Sequence, residues 1–316
     1  MKEEIVYIDK PQESLDEIKK LISVVHEGFM AIAMDYGYHI NNVFGQTKDG
    51  KHEIYELRDN INYRIRSANL HFYLLLVRKL EIEQRFEKML KENPTVFNGF
   101  IMGNPHFEMA SDEIMALYDS IVFHLSSCFD YLAMLTQFVF GKNPESKLQW
   151  ITLVKHCHNS ESEFAKRKFI QNIKTVDADF VSKFNDYRAE LIHRKKSTSF
   201  ANVSWQLNSG KVITKYQCSE KIKINLKKII DKDLNYCVSY ASSEMIKQTL
   251  LKIAYVLNGM YDEFRENYNQ HAPIMNNGGF QIISMNPETK FAESPALGYW
   301  NKFMEYKNFE TKNAST

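Results

Sequence analysis

An arginine and a histidine stand five positions apart in the polar segment that runs from Asp186 to Lys196. Arg188 is permanently charged and can bind a phosphate through two N–H groups. His193 carries the one side chain that exchanges protons near neutral pH without a perturbed pKa. An imidazole that moves protons and a guanidinium that offsets the charge of the transition state are sufficient to cut a phosphodiester without a metal. The pattern therefore indicates a phosphodiester-directed site, and we expect neither a metal nor a cofactor.

Both residues are predicted to lie on one helix, from 177 to about 194. Five positions rotate by roughly 140° around an ideal helix, so Arg188 and His193 do not share a face. Arg188 could reach around the helix, the helix could end near His193, or a partner subunit could supply the second group. A structural interpretation also stays open, because the helix dipole favours basic side chains near a C-terminus. The basic residues that follow are candidates for contacts with RNA: Arg194, Lys195 and Lys196.

The composition is typical of a soluble globular protein. The 316 residues are 44% hydrophobic and 25% charged, and the formal net charge is +1. Such a balance argues against a uniformly basic surface but allows a local basic cleft. The four cysteines include no Cys-x-x-Cys pair, so a zinc ribbon is not expected. We find no signal peptide and no apolar stretch of membrane-spanning length, and therefore expect a cytoplasmic protein that does not bind membranes.

Hydrophobic periodicity predicts an all-α bundle of long antiparallel helices. Helices are expected over 12–34, 53–91, 177–194 and 231–268, with one or two shorter helices in 146–174 and a linker over 95–110. The clearest helix carries two heptad series that form an a/d seam. Their members are Ile114, Ile121, Cys128 and Leu135, and Tyr118, Leu125, Leu132 and Val139. A period-two alternation around an Asn-Ser-Gly turn predicts a small β-hairpin insertion near 202–217.

These elements suggest three regions: an N-terminal helical region (1–94), a helical bundle (111–268) and a C-terminal tail (269–316). The tail lacks helical periodicity but contains several aromatic residues. We therefore expect the tail to pack on the body of the protein.

The bundle resembles the HEPN superfamily over residues 111–268. The resemblance rests on the heptad-rich helix, a short helical stretch, the Arg-x4-His helix and a last long helix. The segment from Ser126 to Leu132 makes the resemblance more specific, because it begins with small polar residues and continues with aromatic ones. The resemblance implies an all-α bundle that forms a homodimer in which the two motifs meet in a cleft. It also implies metal-independent endoribonuclease activity, often in toxins or antiviral effectors, and a possible antitoxin or regulatory protein as partner.

By this resemblance Arg188 and His193 are the catalytic pair, and RNA is cleaved to a 2′,3′-cyclic phosphate and a 5′-hydroxyl. Four residues are expected to support them: Asp186, Glu190, Ser127 and Asp130. One departure is Ala189, because the residue after the motif arginine is commonly polar in active members.

Three functions remain open for the chain. The leading one is a HEPN-type ribonuclease that acts as a toxin or in phage defence. The second, favoured by Ala189, is a catalytically inactive HEPN-like protein that binds RNA or a protein partner, or serves as a sensor. The third is a nucleotide-binding helical module, although no Gly-x-x-x-x-Gly-Lys-Ser/Thr phosphate loop is present.

Overall fold

Helices make up most of the chain in the computed structural model. The structure describes residues 11–36, 51–96, 105–142, 147–193, 200–206, 210–218, 220–229, 237–264 and 296–313. Within these ranges the helices are α1 (Pro11–Asp35), α2 (Lys51–Glu92), α3 (Pro105–Phe140), α4 (Trp150–His158), α5 (Ile170–Val176), α6 (Ser182–His193), α7 (Glu220–Ile229), α8 (Val238–Phe264) and α9 (Ala296–Asn313). The all-α prediction is thus confirmed.

The heptad seam of α3 is buried as predicted. Every position of its two series is buried except Val139, which is half-buried. The helix begins earlier than expected, at Pro105, so the predicted linker was wrong over its last six residues. Proline is tolerated at the first helical position because the N–H that it lacks would have no partner there. Phe107 and Ala110 are buried, so this first turn is fixed by packing.

The motif helix is longer than the sequence indicates. Helix α5 continues through a π-helical turn, Asp177–Val181, directly into α6, so the helical path begins at Ile170 and not at 177. Helix α7 was not predicted, because its lysines obscure the apolar spacing in the sequence; among its described side chains, Leu226 and Ile229 are buried. The last long helix was predicted over 231–268 and is described as α8, with residues 231–236 and 265–268 outside the described residues.

The β-hairpin is confirmed. Strand β1 (Phe200–Gln206) pairs antiparallel with β2 (Lys211–Gln217), and Gly210 adopts a φ of 63° in the turn. The outer edge of β2 is covered by α2. Glu83 accepts hydrogen bonds from the backbone N–H and the hydroxyl of Thr214, at 2.8 and 3.1 Å. Glu87 accepts one from the N–H of Val212 at 3.0 Å. These carboxylates satisfy strand donors that would otherwise form an open edge.

The chain divides into two compact units. Unit 1 contains residues 1–18, 64–126 and 180–249, and unit 2 contains residues 19–63, 127–179 and 250–316. In unit 1, α3 and α6 are joined by a buried hydrogen bond of 2.5 Å between the hydroxyls of Tyr118 and Tyr187. None of the helices within the described residues is long and apolar enough to cross a membrane.

Unit 2 is held together by buried aromatic residues. In α9, Trp300 is fully buried and donates its indole N–H to the buried carboxylate of Asp35 at 2.6 Å. Helix α9 lies close to α1 at Gly28, where an added Cβ would meet the side chains of Leu257 and Phe303 at 2.9 and 3.1 Å. A larger residue than glycine would therefore separate these helices.

Candidate functional site

Arg188 lies on α6 in unit 1, one residue after the buried Tyr187. Its guanidinium carbon is 5.6 Å from the ring centre of Phe123 on α3. The Nε atom of Arg188 is buried and has no hydrogen-bond acceptor among the described residues. A buried donor without an acceptor costs about 1–3 kcal/mol, more when the group is charged. An acceptor on a ligand would therefore offset the cost of leaving Nε of Arg188 without a hydrogen bond.

A second arginine approaches the same aromatic ring. The guanidinium carbon of Arg64, on α2, is 5.5 Å from the ring centre of Phe123. Phe123 lies outside the α3 seam and is 44% exposed. The two guanidinium groups are consequently no further apart than the sum of these two distances. An exposed aromatic ring flanked by arginines is the combination that binds single-stranded nucleic acid by stacking and charge.

Two histidines complete this group of side chains. Nη1 of Arg64 lies 3.3 Å from Nδ1 of His124. A guanidinium can only donate, so Nδ1 accepts and the neutral ring of His124 carries its proton on Nε2. The ring of His71 lies against that of His124, with 5.2 Å between centres. His71 in turn donates from Nδ1 to the backbone carbonyl of Ser67 at 2.7 Å. We call Arg64, His71, Phe123, His124 and Arg188 the Phe123 cluster.

The environment of His124 disfavours its charged form. Burial lowers the pKa of His124 first, and the nearby His71 and the positive charge of Arg64 lower it further. The ring is therefore a neutral N–H donor at neutral pH. A bound anion would reverse part of this effect, because negative charge stabilises imidazolium.

Local structure explains why these residues meet. Arg64 and His71 are seven residues apart on α2, which places them on one face two turns apart. Phe123 and His124 are adjacent on α3. The Tyr118–Tyr187 bond fixes α6 beside α3 one residue before Arg188. Positions separated by more than 50 residues thus converge through the packing of three helices in unit 1.

The other residues predicted from the motif fall in different places. Asp186 is exposed and Glu190 is half-buried, both on α6. Ala189 is exposed and adds no polar group. His193 is the last residue of α6 that the structure describes, and its side chain lies outside the described residues. The basic run is also outside them: Arg194, Lys195 and Lys196.

Ser127 and Asp130 belong to unit 2. Ser127 is half-buried on α3. Asp130 accepts a hydrogen bond of 3.1 Å from the backbone N–H of Trp150, the first residue of α4. The carboxylate thereby satisfies a helix N-terminal donor and meets the positive end of the helix dipole. This contact gives Asp130 a structural role in starting α4.

Sequence reasoning did not identify Arg64, His71, Phe123 or His124. The only local signal was the adjacent Phe123 and His124 in α3, at positions outside the two heptad series. No motif joins α2 to α3, so their approach is a property of the tertiary structure.

Comparisons with protein-family models, curated proteins and solved structures give no match. Among the residues that the structure describes, no three His, Cys, Asp or Glu side chains are grouped so that they could hold a metal ion.

Proposed function

We propose that the protein is a metal-independent endoribonuclease of HEPN type that cleaves RNA beside the Phe123 cluster. The observation that supports this most directly is Arg188. Its Nε is buried without an acceptor among the described residues, beside an exposed aromatic ring and a second arginine. A phosphate would supply the missing acceptor, and the ring would contact a base.

In the proposed reaction, Arg188 holds the scissile phosphate and offsets the additional negative charge of the transition state. A base takes the proton of the ribose 2′-hydroxyl, and the 2′-oxygen forms a bond to phosphorus. The P–O5′ bond breaks, and the leaving 5′-oxygen takes up a proton. His193 acts in one of these two proton transfers, as base or as acid. The products are a 2′,3′-cyclic phosphate and a 5′-hydroxyl.

Cleavage of RNA by the purified protein in EDTA tests this proposal. The expected result is that wild type cleaves RNA but leaves the same sequence in DNA intact. His193→Ala and Arg188→Ala should each lose activity by about 100-fold or more. Lys183→Ala is the matched control, because it removes a positive charge from the same helix outside the cluster. Equal cleavage by wild type and both motif variants would assign the activity to a contaminant or another site.

A second candidate is a catalytically inactive HEPN-like protein that binds RNA or a protein partner. The exposed Ala189 favours it, because the position following Arg188 offers no polar group to orient His193. RNA binding without cleavage, across substrates from transfer RNA to messenger RNA, would support this alternative.

We further propose, from the resemblance alone, a cytoplasmic homodimer that serves as a toxin or in phage defence and is controlled by an antitoxin or regulatory protein. Light scattering of the purified protein would test the dimer. A monomer at the concentrations that cleave RNA would contradict it.

A further inference from the structure

Arg85 on α2 carries two buried hydrogen-bond donors on one edge of its guanidinium group. Its Nε and Nη2 atoms are buried, and neither has an acceptor among the described residues. The N–H groups of these two nitrogens lie side by side, and this edge of a guanidinium binds both oxygens of a carboxylate at once. The side chain as a whole is half-buried. Leaving both donors without an acceptor is costly, because the group is charged.

Two carboxylates near Arg85 are bound by other side chains. The pKa of Glu113 is lowered first by the hydrogen bond that it accepts from Nε of Arg78, at 2.6 Å, and also by the nearby charge of Arg85. The carboxylate of Glu83 lies 3.0 Å from Nζ of Lys79. Neither carboxylate accepts a hydrogen bond from Nε or Nη2 of Arg85. Their negative charges disfavour a dianion beside Arg85, so the ligand that fits carries a single negative charge.

A third buried donor belongs to β2, whose edge is covered by α2. The hydroxyl of Tyr216 is buried and has no hydrogen-bond partner among the described residues. Burial raises the pKa of Tyr216 to about 12. The Thr214 hydroxyl, which donates its own proton to Glu83 at 3.1 Å, and the charge of Arg85 both act to lower this pKa. The Tyr216 hydroxyl therefore keeps its proton near neutral pH, close enough to Arg85 for that charge to act on it.

We propose that Arg85 and Tyr216 bind a carboxylate where α2 meets β2. The paired N–H groups of Arg85 hold the two carboxylate oxygens, and the hydroxyl of Tyr216 donates to one of them. The ligand is a free organic anion or the carboxylate end of a larger molecule. Neither residue belongs to the Phe123 cluster, so this site does not depend on the proposed ribonuclease activity. A bound carboxylate would join α2 to the β-hairpin and stabilise the folded protein.

The NMR signal of the Nε–H group of Arg85, in the isotope-labelled full chain, reports this site directly. Sodium formate is the probe, and sodium chloride at equal ionic strength is its control. We expect a saturable shift of this signal with formate and none with chloride, and a melting temperature that rises with formate. The signal is assigned by its loss in Arg85→Lys. That variant keeps the charge but not the paired N–H groups, so its melting temperature should report formate binding about tenfold weaker.

Two further variants and a second probe define the site. Tyr216→Phe removes one donor and should weaken formate binding about tenfold, while the Nε–H signal of Arg85 still shifts. Arg66→Gln is the matched control, because it removes an exposed guanidinium from the same helix and should leave binding unchanged. N-acetylglycine separates the two sources of the ligand. A shift with both probes supports the carboxylate end of a larger molecule, and a shift with formate alone supports a small free anion.

Three outcomes would overturn the inference. An Nε–H signal of Arg85 that neither probe moves would mean that no carboxylate binds there. A signal that moves in Glu113→Gln and not with formate would mean that Glu113 itself occupies this edge of Arg85. Equal formate binding by wild type, Arg85→Lys and Tyr216→Phe would show general attraction to positive charge, an adventitious ion only.

Discussion

The hydrogen bond between the hydroxyls of Tyr118 and Tyr187 is predicted to stabilise unit 1, in which the Phe123 cluster lies. Both side chains are fully buried, and their oxygens are 2.5 Å apart. Replacing one tyrosine with phenylalanine leaves the other hydroxyl without this partner in the core. The expected loss in the free energy of unfolding is about 1–3 kcal/mol for either single variant. In a cooperative unit of about 150–250 residues, that corresponds to a fall in melting temperature of about 2–12 °C.

The double variant should behave differently, because both polar groups leave together. Combining Tyr118→Phe with Tyr187→Phe leaves no unpaired hydroxyl. The double variant should therefore lose less free energy of unfolding than the sum of the two single losses, by about 1 kcal/mol or more. Calorimetry and urea unfolding, with the m-value checked for each variant, would measure this cycle. Strictly additive losses would show that the two hydroxyls do not depend on each other, and would refute this account of how α6 is fixed beside α3.

Three other perturbations follow from particular contacts. Burial raises the pKa of Tyr118 and Tyr187 well above 10, so both stay protonated in the folded protein while unfolded tyrosines ionise. The free energy of unfolding should therefore fall as the pH rises above about 10, and in urea titrations the double phenylalanine variant should show a pH slope shallower by up to about 2.7 kcal/mol per pH unit. Equal slopes for wild type and the double variant would contradict the burial of the pair. Asp130→Ala removes the acceptor at the start of α4 and should lower the free energy of unfolding by about 1 kcal/mol, while Asp130→Asn should lower it less. RNA cleavage should be unchanged in both variants; a large loss of cleavage with intact stability would instead make Asp130 part of the site. Trp300→Phe leaves the buried Asp35 without its indole donor and should lower the free energy of unfolding by about 3 kcal/mol. The loss would be measured as faster proteolysis of α9, and unchanged proteolysis would contradict the buried contact.

The fold could be predicted from sequence where periodicity was long and uninterrupted. The α3 seam and the β-hairpin are the best examples, because each repeats its pattern over many residues. The start of α3 was missed, since Pro105 and the neighbouring glycines are typical of a linker. Helix α7 was missed because only two of its described residues, Leu226 and Ile229, are buried.

The candidate site was only half predictable. Arg188 was predicted as a site residue because the motif places it five positions before His193 on one helix, and its role stays a prediction. Arg64 and His124 could not, because neither has a characteristic spacing from the motif and each comes from a different helix. Their proximity depends on the packing of α2 and α3 in unit 1, a property that local patterns do not encode.

The central claim is that Arg188, in the Phe123 cluster, serves RNA cleavage without a metal. Its most direct test is the rate of RNA cleavage in EDTA by wild type, Arg188→Ala and the control Lys183→Ala, with product ends analysed and folding verified by circular dichroism. The account predicts cyclic phosphate ends from wild type and the control, and a loss of about 100-fold or more in Arg188→Ala. Cleavage that Arg188→Ala retains, or intact RNA with every variant, would contradict it.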